Sequence, residues 1–300
     1  MERPIYIDLL SDWGFKRIFG RKGSSEEFLR DFLNELFYGD PVLGSIEKVD
    51  FTNVDKAKSY RSGKGVRYDI ICETDKGHRF IVEMQRRDHN KFPQRVMYYL
   101  CREIVEQGIR ETEKEHWTFS IMPVVGVFVT EFDLPGFEGR LKIQGRILDT
   151  ETYSPLLEDI RCAFIQLKNF DKKPEECETG FDKWVFILKN MENLREVPFG
   201  DYKGGLFNRV AEISRVANLS RTELREYEDE LKAIRIKNAE IDFSREQGKA
   251  VGRAEGLAEG RAEGLAEGKL EVARNLKALG LDTTMIAKST GLTAEEIEKL

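Results

Sequence analysis

RYDIICETDKGHRFIVEMQ, Arg67 to Gln85, reads as two strands about a tight turn, and its register decides the fold. A three-residue loop, Asp75-Lys76-Gly77, closes a hairpin when the glycine is left-handed and a bulge sits beside it. Thr74 then faces His78, Ile71 lies opposite Ile81, Asp69 opposite Glu83, and Arg67 opposite Gln85. Side chains alternate along a strand and opposed residues share a face. Asp69, Glu83 and Gln85 therefore project on one side. Tyr68, Ile70, Cys72, Phe80, Val82 and Met84 line the other side and supply the core. A two-residue loop would slip the register by one and separate the two acids.

Two directly opposed carboxylates repel and are expensive to desolvate. A divalent cation removes both costs. Magnesium takes oxygen ligands, commonly one or two carboxylates with water and substrate phosphate. The main-chain carbonyl of Met84 is a further candidate ligand. Such an ion lowers the pKa of a water and offsets charge on a phosphodiester. The plainer arrangement pairs Asp69 and Glu83 with Arg67, Arg79 or Arg86 on the surface, and spacing alone leaves both open.

The rest of the chain sets the context. Its 300 residues make one large domain or two modest ones, 40% hydrophobic and 34% charged. No run reaches the roughly 18 apolar residues of a membrane span. The first twenty residues carry no apolar signal core, so a cytoplasmic location is expected. Cys72, Cys101, Cys162 and Cys177 are scattered without a C-x-x-C pair, and Cys72 and Cys101, in apolar contexts, read as small core residues rather than disulfide partners or a zinc site. Three histidines are too few for a His-based metal centre. The net charge is −6, yet Asp55–Arg102 holds twelve Lys/Arg against six Asp/Glu. That local excess suits either phosphate binding or a solvated surface.

Working outward, Ser11 is placed to cap a short helix, DWGFKRIFG, and Ser24 with Glu27 forms a capping box for the next. Ile46–Asn53 reads as a strand, Lys56–Gly65 as a basic loop, and 92–107 as a helix with Pro93 in its first turn. Pro123–Phe132 is a buried strand, LKIQGRILD and RCAFIQLKNF are two more, and FDKWVFILKNMENL is a helix. Beyond Pro198 the sequence turns helical and charged. Glycine recurs at 248, 252, 256, 260, 264 and 268, which fits either a helical stalk for self-association or a mobile linker. The closing residues read as short helices, with Gly280 and Gly291 as stops and Thr293 with Glu296 as a capping box. The middle and last of them resemble a helix-turn-helix, but the last helix, with Glu295, Glu296 and Glu298, is acidic, which favours a packing or oligomerisation module.

Taken in order, SDWGFKRIFG, EEFLRDFLNELF, RYDIICETDKGHRFIVEMQ and FPQRVMYYLCREI resemble the Rpn family of recombination-promoting nucleases, the PD-(D/E)XK nuclease family transposases. The resemblance implies an α/β, restriction-endonuclease-like core, a mixed central sheet flanked by helices, followed by an α-helical C-terminal region. The expected parts are a nuclease-like domain over 1–197, a helical extension over 198–247, the glycine repeat over 248–270, and a small helical module over 271–300.

By the same resemblance Asp69 and Glu83 are the metal ligands, and Gln85 takes the place of the superfamily's lysine. An amide positions a water but brings no positive charge. Asp12 is either a further acid of the site or only a helix-start residue, and Lys16 either a phosphate contact or a solvated one. Lys56, Lys58, Arg61, Lys64, Arg67, Arg86, Arg87 and Arg95 are candidate DNA-backbone contacts, with Tyr98. Tyr98 and its neighbour Tyr99 lie about 100° apart on a helix, so at least one is not in the core. The implied activity is Mg²⁺-dependent DNA endonuclease action, with Mn²⁺ the alternative ion and little base specificity. Its setting is recombination, transposition or defence. A second reading keeps the scaffold without catalysis, binding nucleic acid or protein. No membrane partner is expected, and the C-terminal helices suit homo-oligomerisation.

Overall fold

The computed structural model describes residues 4–52, 68–88, 91–112 and 121–300. These residues group into two compact units, Met1–Leu231 and Lys232–Leu300. The basic loop with Lys56, Lys58, Arg61, Lys64 and Arg67 lies outside the described residues.

The first unit is built on six strands: β1 (Val49–Phe51), β2 (Ile70–Thr74), β3 (Arg79–Gln85), β4 (Val124–Thr130), β5 (Lys142–Leu148) and β6 (Pro155–Gln166). Their order is β1-β2-β3-β4-β6-β5. β3, β4 and β6 run parallel, while β1, β2 and β5 pair antiparallel, so the sheet is mixed as expected. The parallel step from β3 to β4 needs a crossover, and α3 (Phe92–Thr112) provides it. β4 is buried at every position, as its unbroken apolar run requires between two covered faces.

On one face lie α1 (Asp12–Phe19), α2 (Glu26–Leu36), α4 (Gly180–Asn190) and α5 (Leu206–Ser214). Their core is aromatic. Trp184 meets Phe19, Phe32 and Phe207 at 5.0–5.9 Å between ring centres, and its indole donates to buried Asp31 at 2.8 Å. Ile70, Cys72, Phe80, Val82 and Met84 join this core, whereas Cys101, also expected to be a core residue, is exposed on α3. On the other face α3 packs Phe92, Val96, Tyr99 and Leu100 on Ile71, Ile81, Phe128 and Phe164. Both faces of the hairpin are thus covered, and the acid-bearing side is core as well. Tyr68 belongs to this second cluster, against the expected alternation. The chain bends at Asp69, one residue before β2 begins, so period-two counting does not extend through it.

Ser11 caps α1, its hydroxyl accepting from Gly14 N–H at 3.0 Å. The next cap falls one residue later than expected. Ser25 takes the position without a side-chain cap bond. Its hydroxyl instead donates to Arg17 O and accepts from Arg21 N–H, stitching the α1–α2 turn.

α6 spans Arg221–Ala278 and includes the glycine repeat. In the second unit its end packs with α7 (Thr283–Thr290) and α8 (Ala294–Glu298) around Ala273, Ile286 and Ile297. Gly280 and Gly291 are left-handed, and Thr293 with Glu296 forms the expected capping box. Among the described residues no helix is long and apolar enough to cross a membrane.

Candidate active site

The hairpin closes as its sequence requires. Thr74 N–H donates to His78 O and Gly77 N–H to Thr74 O, both at 2.9 Å. Gly77 holds φ +80°, a conformation that costs glycine little. Ile71 pairs with Ile81 and Ile70 with Val82, which sets Asp69 across from Glu83.

The two acids are tied to each other's strands. Asp69 N–H donates to Glu83 Oε1 at 3.0 Å, and Met84 N–H donates to Asp69 Oδ2 at 3.0 Å. Met84 thus contributes its N–H to the acid pair. Glu83 is 1% exposed, under α3. Burial first, then the charge of Asp69, push the Glu83 carboxyl up to about 8. Burial likewise raises Asp69 to about 6, against the bond from Met84 and the charge of Lys16.

Two helices supply the facing cations. From α1, Lys16 Nζ lies 2.7 Å from Asp12 Oδ1 and 3.5 Å from Asp69 Oδ1. From α3, Arg95 donates to Glu83 Oε2 at 3.1 Å, to Gln85 Oε1 at 3.3 Å and to Tyr99 OH at 2.7 Å. Gln85 also donates to Glu83 Oε2 at 3.4 Å. Asp12 enters the same field, for its charge and a side-chain hydrogen bond bear on Asp69. Glu230, at the start of α6, accepts from the N–H groups of Asp12 and Trp13 at 2.7 and 2.8 Å.

Of the arginines named as plain ion-pair partners, Arg67 lies outside the described residues, and Arg79 and Arg86 are occupied elsewhere. Arg79 pairs with Glu73 and Glu103, and Arg86 with Asp8 and Glu131. Arg86 therefore links the end of β3 to the segment before α1 and does not turn toward the acids. Arg87 is half-buried with Nη1 unbonded. Tyr98 is 55% exposed, whereas Tyr99 is 7% exposed and makes an edge contact with Tyr68 at 5.2 Å. Of the two tyrosines, Tyr98 is the one that faces solvent.

Sequence reasoning missed the pairing of Arg95 with Glu83, the hydroxyl of Tyr99 behind Arg95, and Glu230. The helical phase of Arg95 and Tyr99, four residues apart, held the signal for the second. Glu230 lies 218 residues from Asp12 and carried none.

Among the described residues no three His, Cys, Asp or Glu side chains gather as a ready metal cluster. The donor chemistry nonetheless suits a hard cation. Among the described residues Asp12, Asp69, Glu83 and Glu230 face Lys16 and Arg95, and both central acids are raised despite those cations. Their oxygens are the ligand type that Mg²⁺ and Mn²⁺ take.

Residues 9–244 match the PD-(D/E)XK nuclease family transposases. No curated protein and no solved structure matches the chain. The matched span holds the acid pair, the helices that brace it and Glu230, and the chain belongs to the PD-(D/E)XK nuclease family transposases.

Proposed function

We propose that the protein is a metal-dependent endonuclease that hydrolyses DNA phosphodiesters with little base specificity. It would serve recombination, transposition or defence. The observation that carries this reading is the convergence of Asp69 and Glu83, held by reciprocal bonds across the hairpin. Asp69 and Glu83 would hold Mg²⁺, or Mn²⁺, with Asp12 beside them. The bound ion supplies Lewis-acid chemistry toward the phosphodiester and makes a water more acidic.

The chain's own groups do the rest. Gln85 orients water through an amide already fixed by Arg95 and Glu83. Lys16, with Arg87 and exposed Tyr98, holds the phosphate backbone. Arg95 keeps Glu83 and Gln85 in register and meets phosphate with what remains of its fork. Arg86 supports the end of β3. Low base specificity is proposed because no base-reading element, which direct readout would need, is identified among the described residues. DNA is the partner, the cytoplasm the setting, and the C-terminal helices the route to homo-oligomers.

Supercoiled plasmid, linear DNA and RNA incubated with Mg²⁺, Mn²⁺, Ca²⁺ or chelator test the reading. Asp69→Ala and Glu83→Ala should each abolish metal-dependent cutting while DNA binding persists. Cutting by a clean Asp69→Ala preparation would remove the assignment. The second reading, a binding scaffold that cuts nothing, draws on Gln85 standing where a lysine would bring charge. Wild-type protein that binds DNA but takes up neither Mg²⁺ nor Mn²⁺ would favour it.

A further inference from the structure

The first turn of any α-helix leaves N–H groups without intrahelical partners. In α1 the Ser11 hydroxyl takes one, that of Gly14. The N–H groups of Asp12 and Trp13 go to a carboxylate 218 and 217 residues away, one to each oxygen of Glu230. A carboxylate there also complements the positive end of the helix dipole and makes charge-assisted bonds. α1 brings Asp12 and Lys16 to the acid pair, so the turn gripped by Glu230 is the turn that carries Asp12.

Glu230 does not act alone on α1. Glu223 accepts from Arg17 and Arg21 at 2.6 and 2.7 Å, Glu226 accepts from the Trp13 indole at 3.1 Å, and Tyr227 packs on Trp13 at 5.4 Å. Positions 223, 226, 227 and 230 form one face of α6. The contacts of Glu223 and Tyr227 with α1, and the core under it, remain when Glu230 is removed. The loss of Glu230 therefore loosens the first turn without undocking the helix.

We propose that Glu230 is a positioning residue of the active site: by fixing the backbone of Asp12 and Trp13 it holds the Asp12–Lys16 pair against Asp69. The inference rests on the nuclease reading for its kinetic readout. The start of α6, up to Glu230, is thereby part of the catalytic unit.

The test uses the full-length protein with Glu230→Ala and Glu230→Gln, and Glu226→Gln as control. Glu230→Ala should lower kcat for plasmid cleavage by about 10- to 100-fold, the usual range for residues that orient ligands, with KM within about twofold. Glu230→Gln keeps one acceptor and should fall between. Glu226→Gln, which touches only the indole, should cut within about twofold of wild type. Amide hydrogen exchange should quicken at Asp12 and Trp13 in Glu230→Ala and stay unchanged at Gly14. Combined with Lys16→Met, Glu230→Ala should add little further loss, because both act through one pair.

Wild-type kcat in Glu230→Ala, or unchanged exchange at Asp12 and Trp13, overturns the proposal. So does a fully additive double variant. Glu83→Ala and wild type run alongside. If wild type itself does not cut, the nuclease reading fails. Mn²⁺ affinity by calorimetry then decides for Glu230: weakening in Glu230→Ala supports it and equal affinity overturns it.

Discussion

Glu83 shows what a single residue costs the fold. Its carboxyl is raised from an ordinary 4.5 to about 8, and that of Asp69 from 3.8 to about 6. A raised acid keeps its proton in the folded chain at a pH where the unfolded chain has released it. Folding stability from these groups is therefore full below about 4 and is lost as pH climbs through the folded values near 6 and 8. In chelator, urea midpoints should fall from pH 5 to pH 8. Glu83→Gln should flatten most of that slope, and a slope unchanged by the substitution would contradict the assignment. At this scale the sequence was informative about the acids and silent about their cations. Asp69 and Glu83 are 14 apart, within reach of register counting. The facing cations come from α1 and α3, and no local pattern says which side of a helix meets which end of a strand.

Among the elements, the hairpin was the most legible because its turn chemistry and apolar alternation agree. Gly77 at φ +80° carries that agreement. Gly77→Ala should destabilise the protein by about 1–2 kcal/mol in denaturant titrations, and an unchanged midpoint would deny the left-handed turn its role. The side of Tyr68 was misread because the bend at Asp69 resets the alternation. The expected cap at Ser24 lies one residue early and no capping box forms, because adjacent serines offer the same signal and the Ser25 hydroxyl bonds instead to the backbone of Arg17 and Arg21.

The contact between α6 and α1 was invisible in the sequence, since helix–helix contacts at such separation leave no periodic trace. It has a pH signature of opposite sign. Arg21, the backbone at Ser220 and Arg17 hold Glu223 far below its ordinary value of 4.5. A depressed acid stabilises above its unfolded pKa and loses that support as pH falls. Glu223→Gln should therefore cost more stability at pH 7 than at pH 3, measured by thermal melts at both, and an equal cost at the two would contradict the ion pairing.

At the scale of the molecule, the family resemblance implied a mixed sheet flanked by helices, and the strand pairings bear it out. The glycine repeat is where reading the residues left two outcomes, because glycine lowers helix propensity by about 1 kcal/mol per position yet permits close approach. The repeat is helical, and a Cβ at each of its six glycines would meet nothing within 4 Å. Ile236, Phe243, Leu257, Leu265 and Val272 are exposed along α6 at close to heptad spacing, on one side of the helix, and exposed Leu279 follows its last residue. Both features fit the proposed self-association. Truncation after residue 245 should lower the assembly mass seen by light scattering to that of the shortened monomer, and an unchanged number of copies would remove the idea.

The claim beneath all of this is that Asp69 and Glu83 share one cation. Calorimetric titration of Mn²⁺ into wild type, Asp69→Ala, Glu83→Ala and the double variant measures it most directly. The account requires one ion per chain at this site in wild type, lost in either single variant and no worse in the double. Undiminished uptake by both single variants would contradict it.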